Sequence, residues 1–266
     1  MKEDIRVLIL VMLWDIRKLG RYKFFLAMRF TWFLVQVLVF GLLVSAMVSI
    51  RGPGGLLDYY KFYIIGAYTA VLFSISIMKG YDIAEEIEDG LIDYQLSLPI
   101  KRRVLALGRA LGGGLASFTY STPMLAVTIL ALKVQNPIAL LAMTLVSLLL
   151  AVSVSGLAVS IALILKSGDR LDILMGVSDA LLIRLSTIFY PAVAMAAVSL
   201  YYYAAKVNPI SYAADMLRYV AEPGEFSGFL VADPLIMFSL IAGFAATSTI
   251  ASIVLLERKI EGGYSR

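Results

Sequence analysis

PIALLAMTLVSLLLAVSVSGLAVSIALIL, residues 137–165, is a run of 29 residues without a single charged side chain. As a helix it would be about 44 Å long, more than the roughly 30 Å hydrocarbon core of a bilayer. Several other stretches of the chain are almost as free of charge. The 266 residues are 61% hydrophobic and 16% charged, whereas soluble domains carry about 25% charged residues. The sequence therefore predicts an all-α integral membrane protein that crosses the bilayer several times.

Six transmembrane helices are predicted from the apolar runs and the polar turns between them. A basic, aromatic-bearing stretch at the N-terminus, residues 1–30, is predicted to lie in the membrane interface, although an ordinary positive flank of the first span would have a similar composition. Residues 192–205 are apolar but short of a full crossing, so 192–220 is predicted to be a re-entrant or interfacial hairpin on the outer side. All of these segments belong to one membrane domain, 1–266. The predicted spans are 31–50, 61–78, 104–132, 137–165, 171–190 and 230–256.

The basic residues give this topology an orientation. With six spans, 17 of the 23 Lys and Arg residues fall on the side that also holds both termini. Counting 192–205 as a seventh span would separate the termini. Because Lys and Arg are retained on the cytoplasmic side of a membrane, we expect a plasma-membrane protein with both termini in the cytoplasm.

The absence of certain residue types excludes several kinds of catalytic and metal site. The chain has no cysteine and no histidine, which removes thiolate and imidazole ligands and the commonest general base. It also has no phosphate-binding loop of the Gly-x-x-x-x-Gly-Lys-Ser/Thr type. If the protein is driven by ATP, another polypeptide must hydrolyse it. A net charge of +4 is no signal for nucleic acid, and membrane lipid is the expected surrounding.

A dense charged segment, AEEIEDGLIDYQLSLPIKRR, interrupts the apolar sequence at residues 84–103. Apolar residues recur through it at helical spacing, which predicts a cytoplasmic amphipathic helix over 83–100. Acidic residues contribute little to membrane topology. They therefore suggest a docking surface for a cytoplasmic protein, although a solvated loop remains the simpler alternative. The apolar positions are Ile83, Ile87, Leu91, Tyr94 and Leu98.

This segment resembles the signature of ABC type-2 transporter permeases, which have an ABCG-like exporter fold. The shared pattern is two adjacent acids, a Gly-x-Leu/Ile triplet, an apolar run ending in proline, one or two basic residues and a Gly-Lys/Arg pair at the start of the third span. A second resemblance lies in STIFYP (186–191) followed by NPISYAADMLRY (208–219), although Thr187 stands where the family often has glycine. The matching positions in the first pattern are Glu85–Glu86, Gly90–Leu91–Ile92, Leu96–Pro99, Lys101–Arg103 and Gly108–Arg109.

The resemblance implies a fold, a function and partners. The helix between the second and third spans would be the coupling helix, which docks on a separate ABC ATPase subunit that binds ATP and Mg²⁺. A second permease copy, identical or different, would complete the substrate path, and this chain would hold no cofactor and no metal. The expected coupling residues are Glu85, Glu86, Glu88, Gly90, Leu91, Leu98 and Pro99.

Other candidate residues lie within the spans. Gly108 and Gly112 are four residues apart, a spacing that lets helices approach closely. Asp179 and Arg184 are costly in a membrane helix. They are predicted to line the substrate path or to form a structural ion pair with other elements, unless the fifth span begins later, near Leu181. An ATP-independent carrier or channel, and less readily an intramembrane enzyme, remain alternative functions.

Overall fold

The computed structural model describes residues 2–52, 55–98, 100–165 and 167–261, and these are almost entirely helical. A single-turn 3-10 helix spans Ser227–Phe229, and two short antiparallel strands, β1 (Arg51–Gly52) and β2 (Gly55–Leu56), pair Arg51 with Leu56 and Gly52 with Gly55. The predicted all-α class is confirmed. The helices are α1 (Lys2–Leu19), α2 (Lys23–Met47), α3 (Tyr59–Glu88), α4 (Leu91–Ser97), α5 (Arg102–Leu132), α6 (Pro137–Leu165), α7 (Gly168–Arg184), α8 (Ala192–Met195), α9 (Ser199–Val207), α10 (Pro209–Ala221), α11 (Pro223–Phe226) and α12 (Pro234–Glu261).

Five helices of the described chain are long and apolar enough to cross a membrane: α2, α3, α5, α6 and α12. The predicted span 137–165 coincides with α6, and the predicted span 104–132 begins two residues inside α5 and ends with it. The other three predicted spans begin or end several residues away from α2, α3 and α12. The predicted span 171–190 corresponds to α7, which has only 17 residues and ends at Arg184. The Asn208 side chain caps this helix end, because it donates hydrogen bonds to the carbonyls of Leu182 and Leu185.

The long helices alternate in direction and give the bundle two ends. One end, called here the basic end, holds α1, the C-terminus of α3 and the N-terminus of α5. The opposite end, called the hairpin end, holds the segment 185–229 between α7 and α12. Helices α3 and α6 lie at the centre of the bundle, where most of the surface of α3 is buried. Helix α2 lies at the edge and leaves apolar side chains such as Trp32 and Leu38 exposed.

The N-terminal stretch 1–30 is not a single interfacial helix. Helix α1 ends at Leu19, and α2 begins at Lys23, so the first span starts eight residues earlier than predicted. Within α2, residues Gln36–Gly41 form a π-helical turn. The Gln36 side chain at the start of this turn accepts a hydrogen bond from the Tyr63 hydroxyl of α3.

The predicted coupling helix 83–100 is also divided. Helix α3 continues to Glu88, and Gly90 then adopts a left-handed conformation with φ of 69°, as residues that terminate helices commonly do. The short helix α4, Leu91–Ser97, follows the break. Glu85, Glu86 and Glu88 therefore belong to the end of the long helix α3. Pro99 lies outside the described residues.

Candidate functional site

A buried cluster of charged side chains joins three helices at the basic end. It contains three cations and three carboxylates, so its formal charges balance. Five of the six side chains are 3% exposed or less, and that of Lys18 is 14% exposed. We call this cluster the ion network; it consists of Asp15 and Lys18 from α1, Lys79, Asp82 and Glu86 from α3, and Arg109 from α5.

Arg109 holds the centre of the ion network. Its Nη1 atom lies 2.6 Å from Asp15 Oδ1, and its Nη2 atom donates to Glu86 Oε2. A guanidinium group can bind two carboxylates in this way because its donors form a rigid planar fork. Arg109 thus fastens α5 to both α1 and α3.

Two lysines complete the ion network from opposite sides. Lys79 Nζ lies 2.6 Å from Asp82 Oδ2 and 3.3 Å from Asp15 Oδ1. Lys18 Nζ lies 3.0 Å from Glu86 Oε1. Burial opposes the charge of Lys18, but the nearby carboxylates of Glu86 and Asp82 outweigh it and raise the pKa of the lysine. Each cation of the ion network thus lies next to at least one carboxylate.

Helix α1 packs closely enough against α5 to reach the ion network because α5 has glycines, without side chains, at the contact. A Cβ atom placed on Gly108 would lie 2.8 Å from Val11 Cγ1, and one placed on Gly112 would lie 2.7 Å from Asp15 Oδ2. Larger residues at these positions would push α1 away. The two glycines that the sequence marks for close helix packing thus lie against α1 rather than against a membrane span.

The end of α3 is also fastened to α7. Glu88 Oε1 accepts a 2.7 Å hydrogen bond from the backbone N–H of Gly168, the first residue of α7. About two turns earlier on α3, the Tyr81 hydroxyl donates to Asp172 at 2.9 Å. A carboxylate at a helix N-terminus is favourable because unpaired N–H groups and the helix dipole both attract it. The acidic end of α3 is therefore the point where α1, α5 and α7 meet.

The expected coupling residues have different surroundings. Glu86 is 1% exposed and engaged with Arg109 and Lys18, so it offers no surface to another protein. Glu85 is exposed and lies 3.6 Å from Lys18 Nζ. The Gly90 position has no atom within 4 Å of where a Cβ would be, so its glycine is required by backbone conformation rather than by space.

An apolar groove of about 290 Å³ separates α4 from α1. Leu91 and Leu98 contribute to its wall from the coupling segment, and Trp14 does so from α1. Arg109 lies at its base. Tyr94 also borders the groove and is 62% exposed, which makes it the most exposed large side chain among those described in α4.

A second buried ion pair fastens the hairpin end. Arg218 and Asp215 of α10 are fully buried with Nη1 and Oδ1 2.6 Å apart. The guanidinium also donates to the backbone carbonyls of Phe62, Thr187 and Ile188. Their spacing of three residues places both side chains on one face of α10, and that face is buried in the protein. Burial lowers the pKa of Arg218 and raises that of Asp215, and their mutual attraction opposes both shifts.

The segment after α7 passes very close to α3 beside this pair. A Cβ atom on Gly66 would lie 1.9 Å from the carbonyl oxygen of Ile188, so only glycine fits there. Asn208 closes the hairpin: its side chain caps α10 by accepting from the N–H of Ile210 and binds the last turn of α7. The Asn–Pro and Phe–Tyr–Pro sequences thus lie on either side of one packed junction.

The family model for ABC-2 type transporters matches residues 7–221 of the chain. The match begins within α1, includes the ion network and ends at the last residue of α10. The chain belongs to the ABC-2 type transporter family. It is a multi-pass membrane permease. Permeases of this family typically act with an ATPase subunit. A comparison with curated proteins gives no match.

Asp179 and Arg184 of this ABC-2 permease are not brought together as an ion pair. Both are exposed on α7, and their positions lie on different faces of the helix. The charges of Arg29 from α2 and of Arg184 act on Asp179. Arg184 is the last residue of α7 and borders an open cavity at the hairpin end.

The sequence does not predict most of the ion network, because the acids near residue 86 are predicted to form an exposed docking surface. Lys79, Asp82 and Glu86 are spaced by three and four residues, and such residues share one face of a helix. That spacing is the signal that could have identified a buried charged face on α3. The partners on α1 and α5 have no comparable signal, because only the tertiary fold brings them together.

Proposed function

We propose that this permease is the transmembrane subunit of an ABC exporter in the plasma membrane. A separate ATPase subunit binds ATP and Mg²⁺, and a second permease copy completes the substrate path. Both termini lie in the cytoplasm. The observation that carries this proposal is the ion network, because it joins the coupling region to two membrane helices as one mechanical unit.

A sixth crossing is part of the proposal. Helix α7 contacts the basic end of α3 through Asp172 and Tyr81, and the residues that follow it contact the hairpin end, where the Tyr59 hydroxyl donates to the carbonyl of Phe189. From Tyr81 to Tyr59 along α3 is about 33 Å, which exceeds the hydrocarbon thickness of about 30 Å. A 17-residue helix extended by residues 185–189 therefore supports a full crossing, with the hairpin on the outer side.

Coupling to the ATPase would proceed through α4 and the exposed end of α3. Tyr94 and Glu85 are accessible there, whereas Glu86 transmits force inside the protein instead of touching the partner. A push on α4 reaches α1 across the apolar groove and reaches α3 across the Gly90 turn. The ion network then requires α1, α3 and α5 to move together, because separating them would expose unpaired buried charges.

Tyr94→Ala tests this proposal. The tagged permease is purified in mild detergent from the cells that produce it, and ATP hydrolysis is measured in the purified material. We expect hydrolysis with the wild-type permease and a loss of at least about tenfold with Tyr94→Ala, since truncating a central aromatic anchor of an interface commonly costs 2 kcal/mol or more. Glu85→Lys should have a similar effect.

Tyr203→Ala is the matched control. Tyr203 is 65% exposed on α9 at the hairpin end, away from the proposed docking surface, and its substitution should leave co-purified hydrolysis unchanged. If no ATPase activity accompanies the wild-type protein, or if both tyrosine variants behave alike, the proposed coupling surface is refuted. Retention of substrate transport in the absence of any ATPase would instead support an ATP-independent carrier.

A further inference from the structure

We infer that the open cavity beside Arg184 binds amphipathic anions, with the anionic head on Arg184 and the apolar tail along the cavity wall. This inference names a substrate class and rests on the proposed function.

The cavity has the size and the lining of a ligand site. Its volume is about 410 Å³, within the range of roughly 300–1,000 Å³ found for small-molecule sites. Tyr190, Met195, Val198 and Tyr201 form much of its wall, and Arg184 is the only charged side chain among the described residues that line it. Such a surface matches a ligand that is apolar over most of its length and negative at one end.

Arg184 is available for such a ligand. Within the described part of the chain, no carboxylate lies within 4 Å of its guanidinium. Arg218, at the same end of the protein, is by contrast fully engaged by Asp215 and backbone carbonyls. An arginine at the last turn of a helix can serve to pair the terminal carbonyls. In α7, Asn208 already donates to two of these carbonyls, so Arg184 is not required there.

The charges around Arg184 leave the cavity positive. Asp179 is the nearest acid on α7, about 7.5 Å away along the helix axis, and the cation of Arg29 also acts on it. Asp179 does not line the cavity. On α3, the neighbouring Tyr63 uses its hydroxyl to donate to Gln36. A cationic ligand would therefore meet repulsion from Arg184, and an uncharged one would leave it unpaired.

Binding to the permease alone provides the test. The protein is placed in nanodiscs of phosphatidylcholine, and equilibrium binding of radiolabelled tetradecyl sulfate is measured against empty nanodiscs. This probe remains anionic across the working pH range. We expect saturable binding, with tetradecanol and tetradecyltrimethylammonium competing at least about tenfold more weakly, because a hydrogen bond to a charged group is stronger than one to a neutral group.

Variants assign the binding to Arg184. Arg184→Gln should weaken binding at least about tenfold, and Arg184→Lys, which keeps the charge, should weaken it less. Lys206→Gln is the matched control: Lys206 is a cation of the adjacent helix α9, lies over the ring of Tyr202 and does not line the cavity. Each variant is first shown to be monodisperse by size-exclusion chromatography. Equal binding by Arg184→Gln and wild type, or equal binding of the cationic probe, would overturn the inference.

Two sources of the ligand share this chemistry: an anionic lipid of the bilayer and a free amphipathic anion. Replacing part of the phosphatidylcholine by phosphatidylglycerol separates them. Competition by phosphatidylglycerol identifies a lipid headgroup, and unchanged binding identifies a free anion. Because no ATPase is present, absence of binding would refute this inference alone, whereas binding without co-purified ATPase activity in the earlier experiment would refute the proposed function alone.

Discussion

Replacement of Arg109 by methionine should disrupt the ion network while preserving much of the volume of the side chain. Arg109 is 3% exposed and is the partner of both Asp15 and Glu86. Without it the network would hold two cations and three carboxylates, with a net charge of −1 in a buried site. Asp15 would then keep only Lys79, at 3.3 Å.

The expected cost is large. Removal of one partner from a buried ion pair typically costs about 3–5 kcal/mol, because an uncompensated charge remains. For a chain of this size, 1 kcal/mol corresponds to a shift of roughly 2–4 °C in the melting temperature. We therefore expect Arg109→Met to lower the apparent melting temperature in detergent by roughly 6–20 °C.

The charge balance makes a sharper prediction for a double variant. Glu86→Gln alone leaves the network with a net charge of +1, whereas combining it with Arg109→Met restores neutrality. The double variant should therefore be less destabilised than the sum of the two single variants, by roughly 0.5–3 kcal/mol. Thermal unfolding of all four proteins, followed by size-exclusion chromatography after heating, completes the cycle.

An exposed arginine on the same helix as Arg109 provides the control. The Nε atom of Arg103 lies 3.2 Å from Oε1 of Glu257 on α12, and the Arg103 side chain is 89% exposed. Arg103→Met should leave the melting temperature almost unchanged, because exposed ion pairs contribute little. If Arg109→Met and Arg103→Met melt alike, or if the effects of Arg109→Met and Glu86→Gln simply add, the six residues do not form a coupled buried network.

Two glycines give further predictions. Gly66→Ala should destabilise the permease by about 1–3 kcal/mol, because the new methyl group would lie 1.9 Å from the Ile188 carbonyl oxygen. The control is Gly243→Ala, whose methyl group meets no atom within 4 Å and should not lower the melting temperature. Equal melting temperatures of the two variants would contradict the close approach of α3 to Ile188. Gly90→Ala should lower the free energy of unfolding by about 1–2 kcal/mol, because alanine is strained in the left-handed conformation. Gly90→Asn should lower it less, and thermal melting compares the two variants. An alanine variant as stable as the wild type would show that α3 does not end in this conformation.

The sequence is most informative where one local property decides the structure. The bounds of α6 follow from Pro137 and from the charge-free run behind it. The break at Gly90 is missed because the apolar stripe from Ile83 to Leu98 continues across it. Helical periodicity describes which side of a helix is apolar and carries no information on a single residue with positive φ. The end of α7 at Arg184 depends on Asn208, which is 24 residues away and brings no local signal.

The sequence also fails to predict which charged side chains are buried, and there is a physical reason for this. A charged residue is usually exposed unless it is paired, so Glu86 and Arg218 suggest surface positions when each is considered by itself. Their burial becomes favourable only when the partners arrive from other helices: Lys18 and Arg109 for Glu86, and Asp215 with three backbone carbonyls for Arg218. Such pairing across distant segments can be found in the folded structure but not in a single sequence.

The two buried charge clusters together suggest how a movement at one end could reach the other. Helix α3 is about 45 Å long and is fastened at its basic end by the ion network and at its hairpin end by the bonds from Arg218 to Phe62. The start of α7 is joined to α3 through the hydrogen bond from Gly168 to Glu88, and the segment after α7 is joined to α3 through the hydrogen bond from Tyr59 to the Phe189 carbonyl. If an ATPase displaces α4, we therefore expect α3 and α7 to shift together, since moving them apart would break these hydrogen bonds. Arg184 would move with them, so the proposed anion site would move when the proposed ATPase subunit displaces α4.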